Sequence, residues 1–116
     1  MKLWHDDIRR PPDDTWAWAR TNQDAMRYLD TGKVTECSLD HDLGLHNADP
    51  DVQDADMQIG WDQENDGFTL VQWMVSDQGT VPPIITIHSW NPPGAAKMAA
   101  LLADHGHPCV IRPYTR

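Results

Sequence analysis

Basic residues are missing from the middle of the chain. No lysine or arginine occurs between residues 34 and 96, a stretch that holds eleven acidic side chains, and the formal net charge of the whole is −9. A surface of this sign repels a nucleic-acid backbone over most of its area, so extended duplex DNA binding is excluded. A small anion can still bind where a cation, or a few of the remote arginines, gather at one point. Long apolar runs are also missing: none approaches the roughly 18 residues that a membrane span needs. The start, Met1 to Asp7, turns acidic at once and has no signal-peptide core. Cysteine is scarce, with only Cys37 and Cys109, both in apolar segments and without CxxC or zinc spacing. Reduced core thiols are the reading that follows. These absences together predict a cytoplasmic protein with no membrane partner.

What is present is an ordinary globular composition, 40% hydrophobic and 23% charged over 116 residues. Folding a chain of this size removes about 12,000 Å² from water, enough for one core without staples. A single domain over residues 1–116 is expected. Four short apolar runs read as buried strands: Lys2–His5, Cys37–Leu39, Ile84–Ile87 and Cys109–Ile111. A fifth, Thr15–Arg20, alternates large and small side chains as a half-buried edge strand does. Helix signals lie between them. Thr21 with Asp24 makes a capping box, apolar Ala25, Met26 and Leu29 follow at helical spacing, and Gly32 sits where a C-cap belongs. Asp66-Gly67 opens a second helix, with Phe68, Val71, Met74 and Val75 on one face. Asn91-Pro92 opens a third, with Ala95, Met98, Ala99 and Leu102 on its apolar face and Gly106 at its end. Strands alternating with helices predict a mostly parallel sheet covered on both faces.

Residues 41–66 break this rhythm. They carry eight acids and two histidines with few large apolar groups, too long for a plain connection. The acidic stretch 45–66 is expected to be a variable loop that closes over a ligand. Part of it, Asp62 to Gly67, imitates an EF-hand front, but the twelfth position is Trp73 where a bidentate Glu is required, which excludes that kind of calcium site.

Ligands of open α/β sheets bind beyond the carboxyl ends of the strands. Asp6, Asp7 and Arg9 follow the first strand, and Arg20 ends the second. Asp40, His41 and Asp42 follow Leu39, while His88, Ser89 and Asn91 follow Ile87. Arg112 follows Ile111. Carboxylates converging from neighbouring strands repel unless a hard cation separates them, so Asp6, Asp7, Asp40 and Asp42 are candidate ligands for Mg²⁺ or Mn²⁺. Arg112, with Arg9 and Arg20 as further candidates, and Ser89 and Asn91 offer donors to phosphate oxygens. His41 and His88 are candidate proton carriers near neutral pH. Metal, phosphate clamp and acid/base groups are the parts that phosphoester hydrolysis needs.

The acidic pair Asp6-Asp7, then Asp40, His88-Ser89 and Arg112-Pro113-Tyr114 at successive strand ends resemble the receiver-domain pattern. Three departures stand out: Arg112 replaces a lysine, His88 replaces Thr or Ser, and Arg9-Arg10-Pro11-Pro12 replaces the first helix. With Asp6-Asp7-Ile8-Arg9, Ser38 to Gly44, Asp66-Gly67-Phe68 followed by Trp73, and His88 to Pro92, the chain is similar to the cyclic-phosphate-processing receiver-like family from Met1 to about Tyr114, the acidic loop apart. The resemblance implies a flavodoxin-like, receiver-like three-layer α/β domain whose five parallel strands run in the order 2-1-3-4-5. It implies action on a cyclic phosphate, carried by a small phosphate-containing ligand or an RNA end. The expected activity is a metal-dependent phosphoesterase with Asp40, His41 and His88 as catalytic groups. Two alternatives share these residues: a module that binds such a phosphate without turnover, and a diverged receiver with Asp40 as phosphoacceptor.

Overall fold

The computed structural model describes residues 1–41, 66–89 and 91–113. Five strands are formed: β1 (Lys2–His5), β2 (Trp16–Ala19), β3 (Glu36–Leu39), β4 (Ile84–Ser89) and β5 (Val110–Pro113). Three helices join them: α1 (Asn22–Asp30), α2 (Gly67–Met74) and α3 (Pro92–Asp104). The sheet is parallel throughout, in the order β2-β1-β3-β4-β5. Its strands start and stop within two residues of the apolar runs, because each run gives way to turn or polar residues that end the ladder.

The helix starts follow their caps. Thr21, Asp66 and Asn91 each accept a backbone N–H of the first turn, from Asp24, Thr69 and Gly94, filling one of the orphan donors of a helix N-terminus. Gly32 and Gly106 follow α1 and α3 with φ of 72° and 81°, a conformation open chiefly to glycine.

Strand alternation sorts the side chains into two faces. In register, Leu3, Cys37 and Ile85 share one face with His5, Ala19, Leu39 and Ile87. All are buried, and those other than His5 form one cluster with Ala25 and Leu29 of α1, Leu70, Val71 and Met74 of α2, and Ala95, Met98 and Leu102 of α3. All three helices therefore cover the same face. The other face carries Lys2, Trp4, Trp16, Trp18, Glu36, Ser38, Thr86, His88, Val110 and Arg112, and among the described residues no helix lies on it. It is a polar and aromatic surface. Lys2 Nζ sits 4.8 Å from the Trp16 ring centroid, and Trp16 meets Trp4 edge-on at 5.8 Å. The helix-facing side is thus the mainly apolar one, while the other mixes tryptophans and polar groups with the exposed Ile84 and Val110, an alternation visible as Trp-Ala-Trp-Ala in β2 and Ile-Thr-Ile-His in β4.

Two residues of the acidic segment's flanks are fixed against the helices. The Gly67 N–H donates to the carbonyl of His41 at 2.7 Å, joining the start of α2 to the end of β3. A Cβ built on Gly67 would stand 2.0 Å from the Asp40 carbonyl and 2.7 Å from Met98 Cε. Glycine is required there by the closeness of β3, α2 and α3. The loop expected over 45–66 falls, apart from Asp66, outside the described residues, as do Asp42, Trp90 and Tyr114. Among the described residues no helix is long and apolar enough to cross a membrane. A Gly67→Ala variant is expected to lose about 1–3 kcal/mol, the usual cost of overpacking. Urea unfolding at neutral pH measures this, and an unchanged midpoint would show that α2 can retreat from Asp40.

Candidate functional site

The site begins with the connection from β1 to β2. It is short and has no helix, so its backbone must be tied down by side chains. Trp18 on β2 donates its indole N–H to the carbonyl of Asp6 at 2.6 Å, and Trp4 on β1 donates to the carbonyl of Arg9 at 2.8 Å. Arg20 reaches the carbonyl of Asp7 through Nε and Nη2, at 3.1 and 2.7 Å, with its guanidinium 5.0 Å from the Trp18 ring. Three successive anchors therefore hold the segment that carries Asp6, Asp7 and Arg9.

Asp6 is fully buried. Its Oδ1 accepts the backbone N–H groups of Ile8 and Arg9, each at 2.9 Å. Its Oδ2 accepts from His88 Nε2 at 3.1 Å and faces Arg9 Nη1 at 3.5 Å. Burial pushes this carboxyl up, but the His88 bond and the two backbone N–H groups together outweigh it, and the pKa lies below the ordinary aspartate value. His88 is itself locked in place. Ser38 Oγ lies 2.6 Å from Nδ1, and the ring stacks flat on Trp4, 3.9 Å between centroids and 6° between planes. A serine hydroxyl that donates to Nδ1 leaves the proton on Nε2, which is the tautomer that donates to Asp6.

Asp40 follows β3 and is also buried. Its Oδ1 accepts the backbone N–H of His41 at 2.9 Å, and its Oδ2 lies 3.8 Å from Arg9 Nη1. Oxygens of Asp6, Asp7 and Asp40 lie within 4.8 Å of one another. This donor set is made entirely of hard carboxylate oxygens and suits Mg²⁺ or Mn²⁺ rather than zinc or copper. Three of the four carboxylates expected as metal ligands thus come together, while Asp42 is outside the described residues.

His41 stands on the helix side of the site. Its Nδ1 lies 3.3 Å from Asn91 Nδ2, which donates, so that the neutral ring carries its proton on Nε2. The ring packs on Gly94, where a Cβ would approach it to 2.6 Å. Asn91 also caps α3 through Oδ1, and Ser89, buried, accepts the Asn91 N–H at 3.0 Å. Ser89 and Asn91 therefore build the support of His41.

The arginines are arranged differently from the sequence reading. Arg9, a secondary candidate there, is the guanidinium that faces two carboxylates. Arg112, the primary one, lies inside β5 opposite His88 and is exposed, because that strand runs to Pro113, beyond Ile111. Arg20 holds the backbone of Asp7.

Four contributors escaped the sequence reading: Trp4, Trp18, Ser38 and His5. Ser38 precedes Asp40 by two residues and so shares its sheet face, which was a usable signal. His5 is fully buried on the opposite face. Its Nε2 donates to Asn22 Oδ1 at 2.8 Å, and Asn22 Nδ2 donates to the carbonyl of Asp66 at 3.1 Å. This chain joins β1 to the starts of α1 and α2. Burial lowers the pKa of His5 to about 4, assisted by the nearby His88 and opposed by Asn22 and Asp6.

A histidine held neutral in the folded state destabilises it once the unfolded chain takes up the proton. Stability is therefore full above the unfolded value near 6.5 and falls as pH drops toward 4, by about 3 kcal/mol in all. Urea unfolding across that window is expected to show this slope, and His5→Gln, which keeps an N–H for Asn22, is expected to flatten it. At the opposite face, His88→Phe keeps a flat ring on Trp4 but removes a donor to a buried carboxylate. It is expected to cost about 1.5–3 kcal/mol at neutral pH; a loss under 0.5 kcal/mol would show that Asp6 needs no partner from β4.

Comparison with known proteins agrees with this geometry. No curated protein and no solved structure matches the chain. The family described as "Cyclic-phosphate processing Receiver domain" matches residues 1–104, which span β1 through the end of α3 and every site residue except Arg112. The chain belongs to the cyclic-phosphate-processing receiver domain family.

Proposed function

We propose that the protein is a metal-assisted phosphoesterase that opens a cyclic phosphodiester, on an RNA 2′,3′-cyclic phosphate end or on a small cyclic nucleotide. The observation that carries this reading is the meeting of three buried or half-buried carboxylates with the Arg9 guanidinium, next to His41, at the ends of adjacent strands. Asp6, Asp7 and Asp40 would hold Mg²⁺ or Mn²⁺. When bound, such an ion supplies Lewis-acid polarisation of phosphoryl oxygens and a more acidic water.

The chain's own residues divide the remaining work. Arg9 presents a planar guanidinium suited to two phosphate oxygens at once. Arg112 is a second, exposed cation on the same sheet face. His41 is the proton carrier: Asn91 fixes its tautomer, Gly94 lets the ring lie close, and Nε2 is the atom that exchanges a proton with water or leaving oxygen. His88 is assigned to positioning. Both ring nitrogens are engaged, by Ser38 and Asp6, and the residue is 4% exposed. Ser89 and Asn91 act on His41 and the start of α3.

Turnover of a panel of 2′,3′- and 3′,5′-cyclic nucleotides and cyclic-phosphate RNA ends is expected with Mg²⁺ or Mn²⁺ and is expected to vanish with EDTA. Asp40→Asn is expected to abolish it. His41→Ala is expected to slow it about 10²–10⁴-fold with binding of a non-hydrolysable analogue retained. Tight binding without turnover of any panel member would leave a sequestering module instead, and stable labelling of Asp40 by acetyl phosphate would leave a phosphoacceptor.

A further inference from the structure

The two oxygens of Asp6 hold four groups between them: the N–H groups of Ile8 and Arg9 on Oδ1, His88 Nε2 and the Arg9 guanidinium on Oδ2. A carboxylate has about four acceptor positions, three of them here taken by hydrogen bonds and the last side faced by a guanidinium, so an incoming ion competes with these groups for Asp6. The two backbone N–H groups belong to a segment anchored by Trp18, Arg20 and Trp4. His88 is fixed by Ser38 and by its stack on Trp4. The Arg9 side chain is different: it is 18% exposed, it rides on a flexible stem, and it meets Asp6 and Asp40 as ion pairs at 3.5 and 3.8 Å. It also faces two of the three carboxylates that would hold an ion.

We propose that Arg9 is the resident cation of this cluster and that a divalent ion enters by exchange with it. The guanidinium neutralises part of the carboxylate charge in the ion-free protein. It moves out when the ion arrives and becomes available to an anionic ligand at the cluster's mouth. Affinity for the ion is accordingly set low, because every binding event breaks two ion pairs. The proposal rests on the reading that the cluster takes a divalent ion, and its test separates the two.

Arg9→Gln keeps the backbone N–H that serves Asp6 and the carbonyl that Trp4 holds. Calorimetric titration with Mg²⁺ and with Mn²⁺ is expected to show binding to this variant at least about tenfold tighter than to the wild type, or binding by the variant where the wild type shows none. In the wild type, the Arg9 Nε–H resonance is expected to shift during a Mg²⁺ titration with the calorimetric midpoint. That second measurement does not depend on the variant folding. Equal or weaker affinity in Arg9→Gln, or an Arg9 resonance that stays still while the ion binds, would overturn the exchange and leave the ion site standing. No binding by either protein would overturn both.

Discussion

A fully buried carboxylate costs several kcal/mol of desolvation unless its lone pairs are filled, and Asp6 is the group around which this protein meets that demand. Its partners come from three places: the backbone just after β1, the side chain of β4's His88, and Arg9. Each partner is in turn fixed by another element. Ser38 on β3 sets the tautomer of His88, and Trp4 on β1 supports its ring. Strands β1, β3 and β4 are thus joined above the ordinary ladder by a line of side chains on one sheet face. This line sets where the site's negative charge lies, and Asp40 completes it from the end of β3.

The absence of a helix between β1 and β2 has a structural consequence. A crossover helix normally satisfies its own backbone and covers part of a sheet face. Here a run of about ten residues must find donors for its carbonyls, and two indoles and a guanidinium provide them at Asp6, Arg9 and Asp7. Those donors come from the sheet face that no described helix covers. The tryptophan-lined face and the anchored Asp6–Arg9 segment are therefore one arrangement: the N–H groups of the buried Trp4 and the half-buried Trp18 are engaged in holding the loop.

Strand positions, helix starts and the gathering of Asp6, Asp7 and Asp40 were legible in the residues, because they depend on local signals. Apolar runs bounded by charge make strands, and Thr21, Asp66 and Asn91 accept the N–H groups that any helix start leaves open. Arginine placement was not legible. Whether Arg9 or Arg112 meets the carboxylates depends on where β5 ends and on how the β1–β2 connection folds back, both non-local. The role of His88 was hidden for a related reason. A histidine at a strand end reads the same whether its ring faces solvent or lies between Trp4 and two hydrogen-bond partners, and only the cross-strand register Trp4–Ser38–Thr86 decides it. His5 was masked by its apolar neighbours, since nothing in Lys-Leu-Trp-His marks a neutral, fully buried imidazole.

The strand order explains why the chemistry collects where it does. From β1 the chain leaves toward β2 at one edge of the sheet, and from β3 it leaves through α2 toward β4 on the other side. The two connections diverge, and the gap between them lies above the carboxyl ends of β1 and β3, where an open α/β sheet offers a crevice. Asp6 and Asp7 stand on one lip and Asp40 on the other. Because the first connection bends over the aromatic face and the second feeds the helical layer, the crevice has unlike walls. Arg9, Arg20 and His88 belong to the first, and His41, Asn91 and Ser89 to the second. Under the proposed function, a phosphate seated there would meet the movable Arg9 guanidinium from one wall and the His41 imidazole, supported by Asn91, from the other. The two walls are tied together at the Asp40 carboxylate, whose Oδ1 accepts the His41 N–H while its Oδ2 faces the Arg9 guanidinium, so a change on either wall is felt at the other through this one side chain.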